Sequence, residues 1–110
     1  MNPQPPVDPD RLRTLRDDYG DLATDLLALF ETTAAATLDE LHAALDAGDR
    51  DEVRRLAHRL KGSARNVGAT GMAEVAAALE QAPADPAATL TSLEAALEPT
   101  RAQLRATLEG

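Results

Sequence analysis

Cysteine is absent from the 110 residues, which removes disulfides, thiolate metal sites and a cysteine nucleophile and leaves the fold to rest on packing alone. Aromatics are limited to Tyr19 and Phe30. With alanine and leucine dominating the apolar set, this composition suits close helix packing and is poor for strands. No run of about eighteen apolar residues occurs, so no membrane span is expected. The opening MNPQPPVDP has neither the basic start nor the apolar centre of a signal peptide. A soluble, cytoplasmic protein is the expectation, and the start at Met1 reads as a free-standing chain, with a domain cut from a larger sensor as the alternative. Basic residues are scarce, 11 against 19 acidic, for a net charge of −8. That balance argues against nucleic acid or a membrane surface as partner, because phosphate neutralisation needs a concentrated positive face. The length fits one domain with a core of modest size.

The apolar residues that are present recur with helical spacing. Residues 1–7, with three prolines, read as a disordered or extended tail, and 8–110 as the folded unit. Asp8-Pro9 gives an N-cap followed by proline at the first helical position, opening a short helix to about Asp18 that Gly20 closes. From Asp21 to about Ala47, Leu22, Leu26, Leu29, Phe30, Thr33, Thr37, Leu41 and Leu45 predict one buried face of a long helix. Gly48 supplies a left-handed stop, and Asp49 with Glu52 makes a capping-box-like start for the next helix. That helix should bury Val53, Leu56, Ala57, Leu60, Ala64 and Val67 and end at Gly68. Thr70 is expected to cap another, with Met72, Val75, Ala76 and Leu79 facing inward to about Gln81. Asp85 and Pro86 open the last, which uses Leu90, Leu93, Leu97, Leu104 and Leu108 and should kink at Pro99, near Ala96. Short connections make neighbours antiparallel. The fold class is all-α, an up-down-up-down four-helix bundle with a short extra N-terminal helix.

One stretch, RRLAHRLKGSARNVGA at 54–69, departs from an ordinary amphipathic helix. With Val53, Leu56, Ala57, Leu60 and Ala64 inward, Arg54, His58, Lys61, Gly62 and Arg65 stack along the outward flank. Residues 50–65 hold six of the eleven basic residues, including the chain's one lysine, for a local charge of +4. For Arg50, Arg55 and Arg59 a solvated face complementing the helix dipole explains the charge. Gly62 needs another reason, since a mid-helix glycine costs about 1 kcal/mol relative to alanine. Tight packing on a neighbouring helix is one; clearance for another protein's approach to His58, one turn away, is the other and suits the outward position. A neutral imidazole is a usable nucleophile. Lys61 and Arg65 offer donors to an anion on the ring. With cations on its face and no carboxylate partner expected, His58 is badly arranged for a Ser/His/Asp relay and well arranged to carry a phosphoryl group.

AHRLKGSARNVGA resembles the signature of histidine-containing phosphotransfer (HPt) domains, and the flanking LDAGDRDEVRRL and EVAAALEQA extend the likeness to roughly residues 20–108. The resemblance implies that His58 is the phospho-acceptor, taking a phosphoryl group on Nε2 from a receiver aspartyl phosphate and passing it to another receiver. It implies that Lys61 steadies the phosphoryl oxygens, that Gly62 leaves room for the partner, and that the hydroxyl of Ser63 holds the helix or a neighbouring loop. Phosphate or partner contacts by Arg54 and Arg65 rest on spacing. Response-regulator receiver domains and a hybrid histidine kinase are the implied partners of a monomeric carrier. The carrier would need no cofactor of its own, Mg²⁺ residing on the receiver, and it lacks a glycine-rich ATP loop for autokinase activity.

Two other readings compete. His42, in DELHAALDAG, has Asp39, Asp46 and Asp49 on its flank and no following lysine-glycine pair, so it reads as a surface histidine. A carboxylate–histidine metal bundle would need several inward Glu-x-x-His pairs, and only Asp39-x-x-His42 comes near. The stronger rival is a non-catalytic helical-bundle adaptor that docks a signalling partner with His58 incidental.

Overall fold

The computed structural model describes residues 7–109. Five helices follow in order: α1 (Pro9–Tyr19), α2 (Leu22–Asp46), α3 (Arg50–Asn66), α4 (Thr70–Glu80) and α5 (Pro86–Glu109), with no strand among the described residues. Local chemistry sets most boundaries. The Asp8 carboxylate accepts from the backbone N–H groups of Asp10 and Arg11, Asp49 from Glu52 at 3.1 Å, and Asp85 from Ala88 at 3.0 Å; each satisfies donors that a helix start leaves orphaned. Gly20, Gly48 and Gly68 all turn the chain at positive φ. Thr70 differs from expectation: it is the first residue inside α4, and Ala69 holds the cap position without a side-chain bond. Pro99 does not interrupt α5.

Helices α2 to α5 pack as a closed ring, each against its sequence neighbour and α5 back on α2. α1 covers the end of the bundle where α2 begins and α5 finishes. It is tied there by the Asp8 N–H donating to Gly68 O at 2.7 Å and Arg11 Nε donating to Asn66 O at 2.9 Å. Residues 1–6 of the expected tail lie outside the described residues, but Val7 belongs to the core, only 4% exposed.

The interior is mostly leucine and alanine, with Val7, Val53, Val67, Phe30 and Met72 among them and Thr37 and Thr100 the buried polar residues. The inward face of α3 is the expected one, Val53, Leu56, Ala57, Leu60 and Ala64. In α4, Ala73 is buried and Val75 only partly so. The first half of α2 requires a correction. Ala23, Leu27, Phe30, Ala34 and Leu38 are buried, whereas Leu22, Leu26 and Leu29 are exposed, Leu22 and Leu29 by more than half, and Thr33 is partly exposed. Eighteen residues make about five helical turns. Ala23 therefore stands directly in line with Leu41, while a seam stepping back from Leu41 mostly by fours drifts around the cylinder and reaches Leu22 on the outside.

Candidate functional site

His58 sits at the middle of α3, on the side away from Leu56, Leu60 and Ala64. Its side chain is 69% exposed, so the ring is available to a large reactant. The stacked flank is present. Gly62 lies one turn on, and a Cβ built there meets nothing within 4 Å. Tight packing therefore does not explain this glycine, and open space beside the imidazole does.

The expectation that the ring lacks a carboxylate partner is overturned. Glu80, the last residue of α4, reaches across so that both of its oxygens lie 3.1 and 3.2 Å from His58 Nδ1. Lys61 Nζ donates to the same carboxylate at 2.8 Å. Lys61 and Glu80 are each only 17% exposed, and together they form a buttress on the α4 side of the ring. A carboxylate at the C-terminal end of a helix faces the negative pole of the dipole. Its placement here is offset by these two contacts: Lys61 first, and then His58, hold the Glu80 carboxyl below its ordinary value. A carboxylate can only accept, so in the neutral ring the contact places the proton on Nδ1 and the lone pair on Nε2.

The remaining predicted residues divide. Arg54 donates to Asp51 one turn back at 3.1 Å, with both side chains largely in solvent. Arg65 is exposed on the same flank. Ser63 makes no side-chain hydrogen bond among the described residues, contrary to the holding role expected of its hydroxyl; it lines a groove between α1, α2 and α3 with Tyr19, Leu26, Leu29 and Asn66. Gly62 and Asn66, one and two turns from His58, connect the ring to that groove. Arg59 donates to Glu40 at 3.1 Å and Arg55 pairs with Glu52, structural roles in keeping with the bland reading of both. His42 pairs with Glu94 of α5 at 2.7 Å. A cleft at the Gly48 end of the bundle reaches as far as Arg54 and Glu80. His58 does not line it, so the ring faces outward and not into a small-molecule pocket.

Glu80 was the residue that spacing arguments missed. Two signals for it were present: an acid at a helix end where the dipole favours a base, and a unique lysine for it to answer.

Comparison with known proteins agrees with this geometry. The family model described as the Hpt domain matches residues 25–109. The structure is similar to the crystal structure of histidine-containing phosphotransfer protein B (HptB) from Pseudomonas aeruginosa PAO1. The TM-score is 0.89 at 28% sequence identity, over 97% of each chain. No curated protein sequence matches. No helix among the described residues is long and apolar enough to cross a membrane.

Proposed function

The chain belongs to the Hpt domain family, whose members carry out histidine phosphotransfer in two-component phosphorelays, and from that premise we propose that His58 is its phospho-acceptor. The observation that carries this reading is the exposed imidazole, 69% open to solvent, whose Nδ1 is engaged by Glu80 and which stands one helical turn from the uncrowded Gly62.

In the proposed reaction Nε2 attacks the phosphorus of a receiver aspartyl phosphate. The P–O bond to the aspartate breaks, and its electron pair stays on the aspartate carboxylate. Onward transfer is the reverse displacement by a second receiver's aspartate. Mg²⁺ is supplied by the receiver. The groups around His58 are already paired with one another and serve positioning and charge balance, the two needs of phosphoryl transfer. Lys61 can turn from Glu80 to the phosphoryl oxygens, and Arg65 adds a cation seven residues along the same flank.

The docking surface in this reading runs from His58 over Gly62 and Asn66 to the groove and its exposed rim, Tyr19, Leu22, Leu26 and Leu29. Leucines left in water beside a reactive ring suit a partner that covers them transiently. The partners are receiver domains of response regulators and of a hybrid kinase; the carrier acts as a monomer in the cytoplasm.

Incubation with phosphorylated receivers should give acid-labile, base-stable phosphate located on His58 by mass spectrometry. His58→Gln should abolish acceptance and retain receiver binding. Failure of the unsubstituted protein to acquire phosphate from any receiver of its host would favour the adaptor reading.

A further inference from the structure

Two helical hydroxyls in the groove between α1, α2 and α3 stand unused. Elsewhere Thr14, Thr32, Thr89, Thr91, Ser92 and Thr107 each donate to the carbonyl four residues back, a common resting place for a helical hydroxyl. Thr33 of α2 and Ser63 of α3 both line the groove and make no side-chain hydrogen bond among the described residues. The side-chain amide of Asn66, one turn beyond Ser63, is also unpartnered there, while its backbone carbonyl accepts from Arg11 Nε at 2.9 Å. That bond holds Arg11 in the groove wall and leaves the terminal N–H groups of its guanidinium without a partner among the described residues.

We propose that the groove reads a carboxylate: the receiver segment that covers the exposed leucines carries an Asp or Glu side chain, which takes its hydrogen bonds from Arg11, Ser63, Asn66 and Thr33. This rests on the reading that receivers dock beside His58, and it adds the chemical group by which a cognate receiver is told from others.

The donor set decides the class of group. An ionised carboxylate only accepts and has about four lone-pair sites, and all four side chains can donate. No acid lines the groove, although the chain carries a net charge of −8. The planar fork of Arg11 suits a carboxylate, and a charge-assisted bond is roughly twice as strong as a neutral one. An amide or hydroxyl on the partner would satisfy Thr33 and Ser63 but cover the guanidinium charge without a counter-charge, and a lysine would be repelled by it. Tyr19, Leu26 and Leu29, the exposed apolar rim, supply contact area that many partners could share. Selection therefore falls to the polar floor.

The test uses the host receiver that phosphorylates the unsubstituted protein fastest, with transfer rate measured against receiver concentration. Potassium phosphoramidate, a small donor that needs no docking, reports on His58 alone: Nε2 attacks its phosphorus and ammonia leaves. Arg11→Gln should raise the receiver concentration for half-maximal transfer about tenfold, with little change in the saturated rate or in acceptance from phosphoramidate. Because Arg11 also ties α1 to α3, Ser63→Asp is the second variant. It removes no hydrogen bond from the free protein and places a like charge in the groove, so it should weaken docking at least as much, whereas Ser63→Asn, which keeps a donor, should stay near the parent. Surface carboxylates of the receiver, other than its phospho-acceptor and the acids that hold Mg²⁺, are then neutralised one at a time. One of them should cost the same tenfold against the unsubstituted protein and nothing further against Arg11→Gln.

The proposal is overturned if no receiver carboxylate couples to Arg11, if Ser63→Asp docks like the parent, or if Arg16→Gln, a cation of α1 outside the groove, weakens docking as much as Arg11→Gln. It falls equally if the unsubstituted protein self-associates and Ser63→Asp abolishes that while leaving transfer intact, since the groove would then take a second copy. In each of these cases His58 still accepts phosphate. Loss of acceptance by the unsubstituted protein from both phosphoramidate and receivers would instead remove the acceptor assignment, and receiver binding to the same variants would still decide what the groove reads.

Discussion

Replacing Gly62 with alanine should strengthen the protein and weaken its chemistry. The added Cβ enters space with no atom within 4 Å, so the free molecule incurs no clash. Removing a mid-helix glycine restores about 1 kcal/mol of helix propensity, which for a domain of this size raises the unfolding midpoint by about 4 °C. The same methyl stands one turn from His58, on the face that a receiver approaches in the proposed reaction. If it holds the receiver back by roughly 1 Å, loss of the near-attack geometry costs on the order of 100-fold in transfer rate. Thermal or urea unfolding measures the first effect, and single-turnover transfer from a phosphorylated receiver the second. Phosphoramidate, being small, should show a much weaker loss. A Gly62→Ala protein that is less stable than its parent would mean the glycine serves packing after all. One that transfers at the parental rate would mean that no partner comes close there.

Three further outcomes follow from local features. Thr100 is 1% exposed and its hydroxyl has no hydrogen-bond partner, so Thr100→Val, nearly equal in shape, should stabilise by about 1 kcal/mol in urea unfolding. Among the described residues Ala82 is the non-glycine residue with positive φ, at 56°; Ala82→Gly should relieve about 1 kcal/mol of left-handed strain and raise the thermal midpoint. The Glu80 carboxyl is held below its ordinary 4.5 by Lys61 and then His58. Its contribution to stability is therefore complete above about pH 4.5 and drains away as pH falls through the lower folded-state value. Unfolding midpoints compared across this acid range should fall less steeply in Glu80→Gln than in the parent.

The helices were legible because their ends carry explicit chemistry, Asp8-Pro9, Asp49, Asp85-Pro86 and the glycines at 20, 48 and 68. The inward face of α3 was legible because its charged and apolar residues separate cleanly. The register of α2 was not. Leu22-Ala23, Leu26-Leu27 and Leu29-Phe30 each offer an apolar residue at two adjacent positions, and only the placement of neighbouring helices selects between them. His58, Lys61 and Gly62 could be grouped because one helix carries all three. Glu80 could not be joined to them by spacing, since it lies twenty-two positions beyond His58 and past a reversal of direction, and its contact exists only once α3 and α4 lie side by side. The emptiness around Gly62 is likewise a property of the assembled surface; the sequence shows that a side chain is missing, but not whether another helix fills the gap.

The proposed acceptor ring, its lysine, the glycine beside it and the carboxylate behind it all fall between residues 58 and 80, on two helices joined by the three residues 67–69. Their mutual geometry is fixed by contacts close along the chain, the kind that form early and tolerate change elsewhere. The reactive unit is thus a portable hairpin. Graftable onto another antiparallel scaffold with its charges in register, it leaves the outer leucines free to diverge and choose a different listener for the same chemical message.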